Sequence, residues 1–252
     1  MDNKNGLFVA RLRRFHQLVE IGQWADAEAI WQLLDPMGRD WSRDTYRPGE
    51  AEYDYANFQF RKGDLQEEHL AHAEQLSKTG KSRRAFRYLH GLRGLWRLEQ
   101  GQWAPAAHSL HEAVSMARAS GMSDAAAETS LAIAQFHLHQ LADPRREAEQ
   151  LANARQLSHL ALAELWFVIG DHQEAKKHAL AAYTWAWADG EPYVHRYELN
   201  KARALLEMLG AEIPKLPIYD PAKDEKLPWE DKVAAAIEKL RAEKEAKNRK
   251  KD

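Results

Sequence analysis

The chain has 252 residues, of which 44% are hydrophobic and 29% are charged, so it is long enough to bury a sizeable core. Its formal net charge of −2 offers no overall attraction to nucleic acid or to an anionic membrane, and we expect neither as a partner. The absence of cysteine excludes disulfides, zinc fingers, iron–sulfur clusters and a thiol nucleophile.

The N-terminus reads MDNKNGLFVARLRRFHQ, which has no apolar core ahead of a cleavage site. No apolar run approaches the roughly 20 residues that a membrane span needs. We therefore expect a soluble, cytoplasmic protein, in agreement with the absence of cysteine. Strong helix formers dominate the composition and alternating β-branched runs are missing, so the predicted fold class is all-α.

Four segments share one pattern of an apolar helix, a short turn beginning with glycine, and a second helix. The turn glycines are Gly22, Gly63, Gly101 and Gly170, and Gly210 closes a later helix. Glycine suits such turns because it can adopt the positive φ that ends a helix. The glycines recur about every 40 residues, with one double-length gap, and this period predicts an array of helix pairs. A weaker pair fits the gap, with a glycine-free turn between His137 and Leu151.

The stretch LSKTGKS, residues 76–82, ends like a phosphate-binding loop. Gln75 stands where such a loop needs its first glycine, and the preceding residues read as a helix instead of a strand. We interpret the stretch as a connection between two repeats, with a boundary near residue 80. Gly80 ends the earlier helix, Lys78 lies near its carboxyl end, and Ser82 caps the next helix.

The repeat positions carry a family resemblance. A large or aromatic residue follows the turn, then alanines and another large residue recur at helical spacing. The matching residues are Trp24, Ala27 and Trp31, then Gly94, Trp103, Ala106, Leu110 and Ala113, and finally Leu162, Ala163, Trp166, Ala175, Ala179 and Ala182. In these positions the chain resembles the tetratricopeptide repeat (TPR) superfamily. The period of about 40 residues is similar to that of the repeat arrays in the sensor regions of large bacterial signalling ATPases.

The resemblance implies a right-handed α-solenoid of antiparallel helix pairs over residues 1–210, in which the first helix of each pair lines a concave groove. It implies a non-catalytic scaffold or sensor module that binds a protein or peptide there without a cofactor. Counted back from the turn glycines, the expected partner-binding residues are His16, Tyr53, Asn57, Arg61, Tyr88, Glu99, Glu164, Tyr197 and Asn200. The alternative is that several of these side chains pack within the array itself.

The composition changes after Gly210. Residues 211–228 hold four prolines and are predicted to be extended, and residues 229–252 form a C-terminal helix that begins after Trp229. Its apolar positions are few, and from Glu238 the helix becomes wholly charged and is expected to fray. We favour this helix as a cap on the last repeat, with binding of another protein as the alternative.

Two other function classes stay open. The chain could be the ligand-sensing part of a larger bacterial ATPase-linked signalling or defence system. It could instead be a metal-dependent enzyme, since histidines recur close together with acidic neighbours. These groups are His69 and His72 with Glu68, His108 and His111 with Glu112, and His137 with His139. None of them forms the His-Glu-x-x-His motif of zinc proteases, and we expect no catalytic residues.

Overall fold

The computed structural model describes residues 4–39 and 46–248, and its regular structure is helical throughout that part of the chain. The all-α prediction is confirmed. The helices are α1 (Lys4–Glu20), α2 (Trp24–Arg39), α3 (Tyr46–Lys62), α4 (Glu67–Thr79), α5 (Arg83–Glu99), α6 (Trp103–Ala119), α7 (Ala125–His137), α8 (Pro144–Ala152), α9 (His159–Ile169), α10 (His172–Trp187), α11 (Arg196–Met208) and α12 (Glu230–Asn248).

The helices of residues 1–217, the larger of two compact units, pack in a regular order. Each helix from α1 to α10 packs on the helix that follows it. In addition, each odd-numbered helix from α1 to α9 packs on the next odd-numbered helix. The odd-numbered helices therefore lie side by side, and side chains from distant repeats meet on them.

The predicted turn glycines end the helices that the sequence indicated. Positive φ values are found at Gly22, Gly63, Gly101, Gly170 and Gly210, which follow α1, α3, α5, α9 and α11. The predicted glycine-free pair is formed by α7 and α8. In its turn His139 takes a φ of 55°, the left-handed conformation that glycine provides elsewhere.

Small residues allow the paired helices to approach each other closely. A Cβ atom added to Gly94 on α5 would lie 2.5 Å from Cγ of Leu110 on α6, so only glycine fits this crossing. Ala27, Ala106 and Ala175, which occupy equivalent places after three turns, are fully buried. Close packing at these positions explains why the repeat pattern demands small side chains there.

Tryptophans fill gaps between successive pairs. Trp31 on α2 stacks on Tyr55 of α3, with ring centroids 4.4 Å apart and an interplanar angle of 14°. Trp103 on α6 stacks on His137 of α7 at 3.9 Å. Each aromatic pair joins the second helix of one pair to the first helix of the next, so these contacts hold neighbouring pairs together.

The LSKTGKS stretch joins α4 to α5, as the sequence indicated. α4 ends at Thr79 with Gly80 as its C-cap and Lys78 in its last turn. The Ser82 hydroxyl accepts a hydrogen bond from the Ala85 N–H and caps α5. Gly80 has a φ of −82°, and the left-handed residue is Lys81, with a φ of 53°. The structure therefore places a boundary between two helices near residue 80.

The smaller unit, residues 218–252, contains a 3-10 turn at Pro221–Lys223 and helix α12. The helix starts directly after Trp229 and remains helical past Glu238 as far as Asn248, while residues 249–252 lie outside the described part of the chain. Its apolar side chains are exposed, from 43% at Ile237 to 64% at Leu240. Among the described helices, none is long and apolar enough to span a membrane.

We predict that His139→Gly stabilises the protein by about 1 kcal/mol, because glycine adopts a positive φ without the steric cost that a side chain brings. His139 is exposed, so little packing is lost. Urea unfolding followed by circular dichroism measures the change. The matched control is His111→Gly, an exposed position within α6, which should lose about 0.5 kcal/mol. Equal effects of the two substitutions would contradict the strain at residue 139.

Candidate functional site

Four of the nine predicted binding residues lie together in a cluster of ionised side chains. Lys201 on α11 is its centre, with Nζ 2.9 Å from a carboxylate oxygen of Glu99 and 2.9 Å from one of Glu164. The Tyr197 hydroxyl donates a hydrogen bond of 2.7 Å to the same Glu99 oxygen. These contacts join α5, α9 and α11, so the side chains of Glu99, Glu164 and Tyr197 already have partners within the chain.

Arg61, the fourth predicted residue, extends this cluster to the first repeats. Its guanidinium lies 2.8 Å from a carboxylate oxygen of Glu198 on α11 and 3.5 Å from one of Glu20 on α1. It also lies over the ring of Tyr197, at 5.4 Å from the centroid. His195, which precedes α11, reaches Glu20 through its Nδ1 at 2.9 Å. The last repeat is therefore tied to the first and second. We refer to these residues, with Lys201 and its partners, as the α11 ion cluster.

The close approach of α11 to the first repeat depends on Gly22. A Cβ atom added at this position would lie 2.6 Å from Cγ of Arg196, and Gly22 also has a φ of 74°. Both constraints require glycine. Arg196 is held in place by two hydrogen bonds to Glu191, at 2.6 and 2.9 Å.

The α11 ion cluster includes residues that the sequence analysis did not identify, namely Glu20, His195, Glu198 and Lys201. For Glu20, the sequence did contain a signal. Glu20, Arg61 and Glu99 each lie two residues before a turn glycine. These positions are equivalent in successive repeats and alternate in charge, which indicates that their side chains can form ion pairs. Nothing in the sequence pairs Lys201 with residues about 40 and 100 positions away.

The charge of Lys201 is stabilised by its neighbours. Burial would lower the pKa of Lys201, but the Glu164 carboxylate, together with Tyr197 and Glu99, outweighs burial and raises this pKa above its ordinary value. Burial also raises the pKa of Tyr197, and Glu99 raises it further. At neutral pH, Lys201 is charged and Tyr197 is a neutral hydrogen-bond donor.

Three other predicted residues line a separate cleft of about 400 Å³ between α1, α3 and α5, here called the N-terminal cleft. They are His16, Tyr53 and Tyr88, one from each helix. Tyr53 and Tyr88 stack with ring centroids 5.4 Å apart. Phe8, Val9 and Leu12 give the cleft apolar surface. Its charged lining is mixed, with arginines that include Arg13 and Arg84 and with the acidic residues Glu50 and Asp54.

His16 forms an ion pair across the N-terminal cleft. Its Nε2 lies 2.7 Å from a carboxylate oxygen of Asp54. Burial would lower the pKa of His16, but the hydrogen bond to Asp54 and the charges of Asp54 and Glu20 outweigh burial and raise this pKa. For Asp54, burial raises the pKa and the His16 contact only partly offsets it. His16 therefore keeps its proton to a higher pH than an unpaired histidine does.

Two predicted residues belong to neither group of contacts described above. Asn57 is half-buried on α3, one turn after Tyr53 and one turn before Arg61. Asn200 is exposed on α11, next to Lys201 in the chain. The structure therefore divides the nine predicted residues into the N-terminal cleft, the α11 ion cluster and these two asparagines.

The histidine groups named from the sequence are dispersed. His69 accepts a hydrogen bond from the Gln66 N–H at the start of α4, and His72 lies 3.4 Å from Glu52. His108 and His111 are exposed on α6. Within residues 4–39 and 46–248, no group of three or more His, Asp or Glu side chains is arranged to hold a metal ion.

We predict that Lys201→Met destabilises the protein by about 1.5–3 kcal/mol, because it leaves the carboxylates of Glu99 and Glu164 close together without a cation. Urea unfolding measures the loss. Lys177→Met is the matched control, since Lys177 pairs with Glu174 on the same helix and its side chain is 67% exposed. The control should change stability by less than about 0.5 kcal/mol. Similar losses in both variants would show that the α11 ion cluster is not a structural constraint.

We predict that Asp54→Asn lowers the pKa of His16 below 6.5, because burial and the Arg84 charge then outweigh the remaining Glu20 charge. In the wild-type protein the His16 pKa lies above 6.5, so its contribution to stability is complete below pH 6.5 and is lost as the pH rises through the folded-state pKa. NMR titration of the His16 ring, assigned with His16→Gln, measures both values. An unchanged His16 pKa in the variant would contradict the pairing.

Comparisons of the chain with protein-family models, with curated proteins and with solved structures gave no match. Its function is therefore inferred from its own residues and their geometry.

Proposed function

We propose that this chain is a non-catalytic protein-interaction module, built as a right-handed TPR-like α-solenoid, that binds a peptide segment of a protein partner in the N-terminal cleft. The packing order supports the solenoid, since consecutive helices pair and the odd-numbered helices lie side by side. The positive φ at five turn glycines and the buried alanines that follow three of them support the TPR resemblance.

The expected groove is not equally available along its length. Arg61, Glu99, Glu164 and Tyr197 make ion pairs and hydrogen bonds with side chains of the same chain. A partner that used these groups would have to break those contacts, and partly buried ion pairs are costly to break. The α11 ion cluster thus supports a structural role for these residues, and partner binding is assigned to the N-terminal cleft instead.

The single observation that carries the proposal is the N-terminal cleft, which is lined by three of the nine residues expected to bind a partner. Stacked Tyr53 and Tyr88 offer aromatic faces, and Arg13 and Arg84 offer guanidinium groups. Tyrosine and arginine are the residue types that most often dominate binding energy at protein interfaces. A cleft of about 400 Å³ accommodates a few side chains of a bound segment.

The His16–Asp54 pair provides a polar anchor beside the aromatic surface. The His16 side chain is 47% exposed, whereas that of Asp54 is 13% exposed, so His16 is the accessible partner. A half-exposed imidazole held by a buried carboxylate can donate a hydrogen bond to a backbone carbonyl of a bound peptide. This combination of an aromatic wall and a fixed donor suits an extended or helical peptide segment.

The metal-enzyme alternative has no comparable support among the described residues, because their histidines and carboxylates do not converge in a group of three. The module proposal is tested with a displayed library of short random peptides, selected on the purified protein. The best peptide is then synthesised and its binding is measured by calorimetry. We expect the double variant His16→Ala/Tyr53→Ala to weaken binding at least about tenfold.

The matched control is His111→Ala/Tyr193→Ala, which removes an exposed histidine and an exposed tyrosine outside the N-terminal cleft. It should bind the peptide as the wild type does. Circular dichroism checks that both variants remain helical. If no peptide is selected, or if the folded cleft variant binds like the control, the assignment of a peptide-binding function to this cleft is wrong.

A further inference from the structure

Two buried arginines on α5 have very different surroundings. Arg87 is 8% exposed and Arg93 is 9% exposed. Arg93 is compensated by carboxylates, with Nε 3.1 Å from Glu67 and Nη2 2.8 Å from Glu74. Among the described residues, no carboxylate lies within ion-pair distance of Arg87. A buried charge without a counter-charge is costly, so Arg87 calls for an explanation that Arg93 does not.

The contacts that Arg87 does make are weak. Its guanidinium lies over the ring of Tyr88, 4.5 Å from the centroid, and Nη1 lies 3.5 Å from the sulfur of Met122. Its buried Nε has no hydrogen-bond partner within the described chain. A cation–π contact and a thioether together offset only part of the desolvation of a guanidinium. Arg87 therefore retains hydrogen-bonding capacity for an acceptor from outside.

Arg87 faces a cavity of about 650 Å³ between α5, the end of α6 and the loop that follows α6, here called the arginine cavity. Arg83 and Arg84 also line this cavity, and none of its lining residues is acidic. Of the carboxylates that the structure describes, none pairs with Arg83 or Arg84 either. None of these three guanidinium groups forms an ion pair within the described chain, although the Arg84 charge does act on Asp54, where it partly offsets the effect of burial on the pKa.

The position of these arginines on α5 adds to the electrostatic imbalance. α5 begins at Arg83, so Arg83 and Arg84 occupy its first turn, and Arg87 follows one turn later. The amino end of a helix carries a partial positive charge and favours anions, so cations there reduce stability. Such an arrangement lowers the stability of the free protein and favours a bound anion.

The arginine cavity is adjacent to the N-terminal cleft, because Arg84 and Tyr88 line both. Met116 and Met122 provide flexible apolar surface beside the arginines. A ligand that suits this surface has acidic groups next to apolar ones and extends from one depression into the other. A peptide segment has these properties, whereas a small inorganic anion would leave the methionines and the shared tyrosine without contacts.

We propose that the arginine cavity binds acidic side chains of the peptide that occupies the N-terminal cleft, with Arg87 as the residue that specifies a carboxylate. The inference rests on the proposed function and identifies the chemical class of its partner as an acidic peptide with apolar neighbours. Arg87 pairs with a carboxylate inside the cavity, and Arg83 and Arg84 draw the acidic segment towards it from the rim.

The test uses the peptide selected on the wild-type protein and a second peptide in which every Glu and Asp is replaced by Gln and Asn. We expect the acidic peptide to bind the wild-type protein about tenfold more tightly than the amide peptide, or better. For Arg87→Met, we expect the two peptides to bind alike. Arg146→Met, which removes an exposed arginine on α8 that lines neither the cleft nor the cavity, should keep the wild-type preference.

Stability supplies a second readout that does not depend on a ligand. Because Arg87 is buried without a counter-charge, Arg87→Met should leave the melting temperature of the free protein unchanged or raise it. Arg93→Met should lower it, because that substitution removes the ion pairs of Arg93 with Glu67 and Glu74. A loss in Arg87→Met as large as that in Arg93→Met would overturn the inference, since Arg87 would then be compensated within the protein.

The binding outcomes separate this inference from the proposed function. If the acidic and amide peptides bind the wild-type protein equally while His16→Ala/Tyr53→Ala abolishes binding, the inference is wrong and the peptide-binding function stands. If Arg87→Met preserves the preference for the acidic peptide, Arg87 is not the specifying residue and the inference is also wrong. If no peptide is selected at all, the proposed function fails and the inference fails with it.

Discussion

Lys201 lies between Glu99 and Glu164, with its Nζ 2.9 Å from a carboxylate oxygen of each. The side chains of Lys201, Glu99 and Glu164 are 31%, 37% and 28% exposed, and each has a partner of opposite charge within hydrogen-bond distance. An array of helix pairs normally depends on contacts between neighbouring repeats, and its ends do not meet. Here, the pairs made by α11 also connect positions that are 102, 137 and 175 residues apart in the chain.

This constraint determines which side chains of the odd-numbered helices already have partners within the chain. Arg61 is held by Glu198 and Glu20, so a residue type that often dominates interfaces is here part of the internal framework. His16 has its own partner, Asp54, but keeps about half of its side chain exposed. Arg61 is therefore less accessible than His16, which lies in the N-terminal cleft.

Arg87 and Arg93 lie on one helix and are similarly buried, but only Arg93 is compensated by carboxylates. Arg93 is compensated by two carboxylates and contributes to the connection between α4 and α5. Arg87, equally buried, lies against an aromatic ring and a thioether. Groups that lower the stability of a folded protein without compensation are concentrated at functional sites, because binding a ligand supplies the missing interaction. Arg87 in the arginine cavity fits this rule, whereas the charged groups of the α11 ion cluster are paired with one another.

The sequence by itself determined the local structure of this protein. Turn glycines such as Gly101, the cap at Ser82 and the alanines that follow the turns all act within one or two helices, so their effects can be predicted from spacing alone. The nine candidate binding residues followed from the same register. Their division into a cleft and an ion cluster did not, because it depends on contacts between repeats. Only the tertiary structure brought Lys201 to Glu99 and left Arg87 without an ion pair, since these contacts depend on how helices that are distant in the chain pack together.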